Sequence, residues 1–139
     1  MKIVIKKSLK KTVLAVPLLL LVALMGSAFL YQQTPWKAPA SADAKKNPLT
    51  SDAATIAAGK SLYVAQCQSC HGKKGKGDGP SAAPLGVPAG NFTTEATQAQ
   101  SDGALDWKIA EGRKPMPSFK KKLNETQIWQ TVAYMRTLK

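Results

Sequence analysis

Cys67-Gln68-Ser69-Cys70-His71 contains both cysteines and the single histidine of this 139-residue chain. Two thiols three positions apart lie on one side of a short helical turn, and the imidazole follows directly. That arrangement suits two thioether bonds to the vinyl groups of a haem, with a ring nitrogen delivered to the iron from the same backbone. Other chemistries fit these residues less well. A zinc site wants four ligands, often as two separated pairs, and Cys67, Cys70 and His71 exhaust the supply. A zinc deaminase needs an H-x-E element, and there is no second histidine. A thioredoxin-like pair belongs beside a β-α-β pattern, and no strand alternation is visible. A disulfide between cysteines this close would close too small a loop to stabilise much. Covalent haem attachment is the reading that uses all three residues.

The N-terminus reads as a separate element. Residues 1–11 carry five lysines and no acid, and Thr12–Tyr31 follows as 20 residues without a charged side chain. Twenty apolar residues make about 30 Å of helix, enough to cross the hydrocarbon core. Pro17 is tolerated in such a span. Lysines before it predict an N-terminus inside and the rest of the chain outside. A cleaved signal peptide is the competing reading, with Thr12–Met25 as its apolar region and Gly26 and Ala28 before the cut. The length of the run favours an uncleaved anchor over residues 1–31. Either way the following domain lies on the periplasmic or extracytoplasmic side.

Residues 32–49 change character: Pro35, Pro39 and Pro48 interrupt Ala, Lys, Ser and Asp, which predicts an extended, solvated linker. The domain proper is expected over residues 50–139. Of the net charge of +12, the first 11 residues supply +5, residues 12–49 supply +2, and the domain supplies +5 from 12 basic and 7 acidic side chains. A moderately basic domain steers towards an acidic partner. No nucleic-acid motif or aromatic-interleaved basic stripe is present, which argues against nucleic-acid binding.

Three helices are legible. The first starts after Ser51 or Asp52 and runs over Ala53–Ala65 towards Cys67, with Ile56, Gly59 and Tyr63 at helical spacing. Ser101 or Asp102 caps a short helix over Gly103–Glu111, closed by Gly112, with Trp107 and Ile109 as its bulky apolar members. The last starts at Asn124, with Gln127 completing a capping box. Ile128, Val132 and Met135 form its apolar stripe, flanked by Trp129 and Tyr134.

A helix before C-x-x-C-H, the pair Gly59 and Tyr63, and a terminal helix with Trp129 and Tyr134 resemble a class I cytochrome c over roughly residues 50–139. Gly77-Asp78-Gly79-Pro80 and Lys114-Pro115-Met116-Pro117 are similar to the small monohaem type that also occurs as a module of respiratory oxidases. The resemblance implies an all-α fold in which the N- and C-terminal helices cross beside one covalently bound haem c. Here a single N-terminal transmembrane helix precedes that fold. It also implies that a proline carbonyl downstream of the motif, Pro80 or Pro84, accepts the His71 Nδ1 proton.

The iron needs a sixth ligand. With no second histidine, bis-His ligation within one chain is excluded, and methionine is the natural partner of His71. Met1 and Met25 belong to the N-terminal segment, and Met135 lies on a core stripe. Met116 sits between Pro115 and Pro117, whose fixed φ angles stiffen the loop that presents it. It also occupies the family's usual position for this ligand. Gly72–Gly90, with six glycines and three prolines, reads as a loop folded over one haem edge. Asn91, Trp107 and Arg113 are candidate donors to the haem propionates.

A His/Met iron has no open position for substrate, and no other catalytic constellation is visible. One-electron transfer between membrane-associated respiratory or other redox complexes follows, with no enzymatic activity of its own. Lys73, Lys74 and Lys120–Lys122 are expected to orient an acidic redox partner, with the chain monomeric or part of a respiratory complex. The alternatives are a haem-based sensor or peroxidase-like enzyme, and a fixed cytochrome subunit of an oxidase or dehydrogenase.

Overall fold

Polar caps set the helix boundaries in the computed structural model, which describes residues 35–139. The helices are α1 (Ala40–Asp43), α2 (Ala53–Gln66), α3 (Gln68–His71), α4 (Glu95–Gln98), α5 (Asp102–Glu111) and α6 (Glu125–Met135), with a 3-10 turn at Ala83–Leu85. No strand occurs among the described residues; the sole ladder contact there is an isolated bridge between Arg113 and Met116. Asp52, not Ser51, caps α2 by accepting from the Thr55 amide at 2.8 Å. Ser101, not Asp102, caps α5 by accepting from the Ala104 amide at 3.0 Å. Asn124 and Gln127 form the reciprocal capping box on α6, both bonds at 2.9 Å. Each cap satisfies amides that the first helical turn leaves without a partner.

The frame is the crossing of α2 and α6. At Gly59 the helices approach so closely that a Cβ would run into the Gln130 carbonyl oxygen, with the Tyr134 Cβ behind it. Tyr63, one turn on, is wholly buried, and its ring meets Tyr134 at 5.2 Å between centroids. Leu105, Ile109, Phe119, Leu123, Ile128, Val132 and Met135 form the buried cluster between α5, α6 and the chain joining them. Each such side chain contributes about 1.5–3 kcal/mol by leaving water. Met135 is therefore core, as its place on the stripe predicts. Trp129, read as a flank of that stripe, is buried too, and its indole Nε1 has no acceptor among the described residues.

Beyond the end of α6, Arg136 ties the helix to the preceding segments. Its guanidinium pairs with Asp102 at 2.7 Å and donates to the carbonyls of Gln98 and Gln100 at 2.8 and 2.5 Å. Gln98 does the same from the other side, its amide donating to the carbonyls of Met135 and Leu138 at 3.1 and 3.0 Å. Neither lock has a periodic signature in the sequence.

One expectation is corrected. Most side chains of residues 37–49 are exposed, as expected of a solvated segment, but the stretch is not a free linker: the compact unit that carries the Cys67–His71 turn runs from Lys37 to Lys139. Ala42 is buried on α5, and the Ala42 and Lys45 carbonyls lie against Gly103. The Ser101 hydroxyl donates to Asp43 at 2.7 Å, and the Asn47 amide donates to the Trp129 carbonyl at 3.1 Å. Composition misled because one small side chain, backbone carbonyls and two polar side chains seat this strap, and none of them raises hydrophobicity. The apolar run 12–31, with Met1 and Met25, lies outside the described residues. Among those described, no helix is long and apolar enough to cross a membrane.

Candidate haem site

Cys67 ends α2 and opens α3. Its carbonyl accepts from the amides of Cys70 and His71 at 3.2 and 2.9 Å, so both cysteines and the histidine share one helical turn. Burial, followed by the neighbouring Cys70, pushes the Cys67 thiol up to about 11. Before haem attachment it is therefore protonated at neutral pH.

The glycine-rich loop is stitched back onto this turn by its backbone. The amides of Gly77, Gly79 and Ser81 donate to the carbonyls of His71, Cys70 and Ser69 at 2.8, 3.1 and 2.8 Å. Gly77 makes the stitch with φ +78°, in the left-handed region, and a Cβ there would strike the Ala89 carbonyl oxygen. Only glycine meets both conditions without strain. Tyr63 anchors the start of the loop, its hydroxyl donating to the Gly72 carbonyl at 2.7 Å. Burial raises the pKa of that phenol far above its ordinary value.

His71 Nδ1 lies 2.9 Å from the Gly90 carbonyl oxygen. Facing an acceptor, Nδ1 must donate, so the proton is fixed there and Nε2 keeps its lone pair. Burial lowers the His71 pKa and so favours the neutral ring, while the Gly90 bond acts in the opposite direction. The acceptor expected from the family pattern was Pro80 or Pro84; the loop instead delivers Gly90. Phe92 was not foreseen either. Its ring stacks on the imidazole, 4.4 Å between centroids with planes 23° apart. An aromatic closing a Gly/Pro-rich loop was the available signal.

Met116 sits in the turn whose amide bonds the Arg113 carbonyl at 2.9 Å, next to a cis Lys114–Pro115 peptide. Both Met116 and Phe92 pack, partly buried, against the same core cluster. Asn91 uses its side-chain oxygen locally, accepting from the amide and hydroxyl of Thr93, both at 2.9 Å. Trp107 is half-buried on α5, and Arg113 is exposed. The chemistry of the donor set fits haem c: two thiols on one turn, an imidazole with its outer nitrogen engaged, and a thioether.

Residues 54–135 match the family described as cytochrome C oxidase, cbb3-type, subunit III. Among solved structures, the c-type cytochrome KustC0563 is 31% identical with a TM-score of 0.52, covering 58% of this chain and 96% of that one. The Kuenenia stuttgartiensis reducing HAO-like protein complex Kustc0457/Kustc0458 is 30% identical with a TM-score of 0.57, over 80% of this chain. The chain spans about half of that second neighbour, 53% of its length. These likenesses fix the cofactor as one covalently bound haem c, with Cys67 and Cys70 as the attachment thiols. A motif, a helix crossing and a match that extends almost from one end of the helical frame to the other converge, and the chain belongs to the cbb3-type cytochrome c oxidase subunit III family as a monohaem c-type cytochrome.

Proposed function

We propose that the domain carries single electrons through a haem held by Cys67, Cys70, His71 and Met116, on the extracytoplasmic side of a membrane that residues 12–31 cross. The observation that supports this reading best is the Gly90 bond to His71 Nδ1, because it leaves Nε2 as the free donor on the attachment turn. When bound, haem c supplies a one-electron Fe(II)/Fe(III) couple, and His/Met ligation raises its potential. The protein's part would be to hold the His71 and Met116 donors still. His71 is held by its carbonyl partner and by the stitched loop. Met116 is held by its turn and by the core cluster it rests on. Iron held by both donors would leave no position for substrate, which supports a carrier over an enzyme.

Lys73, Lys74 and Lys76, just after the motif, are exposed, and so is Lys121. Lys120 is paired with Glu111. The unpaired positive charge beside the attachment turn supports docking of an acidic redox partner through a small, transient contact. The likeness to a chain in a protein complex favours a second arrangement, a cytochrome subunit bound permanently to a larger assembly. Salt-sensitive turnover with exchangeable partners marks the first; stoichiometric co-purification in mild detergent marks the second.

The test of the ligand set is the ferric optical spectrum of the holoprotein. A Met–iron charge-transfer band that disappears in Met116→Ala, with covalent haem retained, is the expected result. A five-coordinate, high-spin ferric resting state in the unmutated protein overturns the reading in favour of a sensor or peroxidase-like centre.

A further inference from the structure

We propose that Phe92 is a positioning residue for the iron, setting the plane of the His71 imidazole; this rests on His71 being an axial ligand. The Gly90 carbonyl restrains one edge of the ring, and a single hydrogen bond leaves rotation about its own axis free. The flat face of Phe92, 4.4 Å away and 23° from parallel, opposes that rotation.

Phe92 can do this because it is itself immobilised on three sides. Its amide donates to the Gly75 carbonyl at 2.6 Å, and its carbonyl accepts from the Gln98 side chain at 2.7 Å. Its ring meets the edge of Tyr63 at 6.2 Å, with planes 71° apart. Tyr63 in turn packs on Tyr134 of α6, and Gln98 also holds the Met135 and Leu138 carbonyls. The imidazole plane is thus referenced to the C-terminal helix by two routes, one aromatic and one polar. Ligand planes matter because π overlap between an axial imidazole and the iron depends on their relative orientation. Groups that orient a metal ligand tune the metal as well.

The experiment compares holoproteins carrying Phe92→Leu and Phe92→Tyr. Leucine keeps apolar volume against the core and removes the flat face; tyrosine keeps the face. Leucine is expected to retain covalent haem and the Met–iron band. It should also shift the ferric electron paramagnetic resonance g values, the spread of haem-methyl proton resonances and the reduction potential. Tyrosine is expected to restore all three towards the unmutated values. A purely structural Phe92 would move thermal stability and leave g values and methyl spread in place, and that outcome overturns the proposal. Equal spectral shifts in both variants also overturn it. Should Phe92→Leu fail to fold, the nuclear Overhauser contact between the Phe92 and His71 rings in the unmutated holoprotein decides: present supports, absent refutes. Failure of the underlying ligand reading shows separately, as missing hyperfine coupling to a histidine nitrogen in the unmutated protein, and it removes the proposal with it.

Discussion

The α2–α6 crossing and the Gly72–Phe92 loop are both indispensable to the haem site, yet they are built by opposite means. The crossing is made by side chains: a notch at Gly59, a buried Tyr63, and an apolar stripe on α6. The loop is made by backbone: amides of Gly77, Gly79 and Ser81 return to the carbonyls of the attachment turn, and the Gly90 carbonyl reaches His71. Side-chain packing is redundant, because each core member has several neighbours. Backbone stitching is less redundant, because the Ser69, Cys70, His71 and Gly90 carbonyls each take a single donor from it. The crossing thus sets whether the domain folds, and the loop sets how the imidazole sits.

Three substitutions test that division, in falling order of effect. Gly59→Leu should cost about 3 kcal/mol or more, because the added atoms meet helix backbone that cannot give way. Little covalent holoprotein should accumulate, measured as haem-stained protein per unit expressed. Gly77→Ala should cost about 1–3 kcal/mol for a strained left-handed residue against the Ala89 carbonyl. Its thermal unfolding should stay cooperative while the ferric spectrum changes. An unchanged spectrum with a lowered melting temperature would erase the distinction between frame and loop. Asp52→Asn should have the smallest effect, since asparagine still caps α2. Hydrogen bonds from the Thr55 amide and the Thr50 hydroxyl hold the Asp52 carboxyl below its ordinary pKa. A carboxyl depressed in the folded state stabilises above its unfolded pKa, and that contribution disappears as pH falls through the lowered folded value. The difference between the two proteins in a denaturant titration should therefore exist at neutral pH and vanish in strong acid.

What was legible in the sequence follows the same division. The attachment turn, the three principal helices and the core role of Met135 all rest on side-chain identity at fixed spacing, and pattern reading finds them. Where two caps competed, Ser51 with Asp52 and Ser101 with Asp102, only folded geometry chose. Gly90 as the partner of His71 was invisible because every residue has a carbonyl, and the family pattern pointed to the prolines. Phe92 was overlooked beside Asn91, whose polar side chain drew attention but serves its own turn. The strap escapes composition for a related reason: its contacts are a single alanine, two carbonyls, the Asp43 carboxylate and the Asn47 amide. Short elements such as α4, capped by Thr94, have too few residues to show a period.

The seating of the strap also decides how the domain bears a load. Tension arriving along the chain from before Lys37 enters the domain at Ala42 and Asn47, on α5 and α6, before it can reach Asp52. The helix that leads into Cys67 lies downstream of those two moorings. Tension applied at Lys37 would therefore be absorbed on the α5–α6 side, and the attachment turn would stay mechanically quiet.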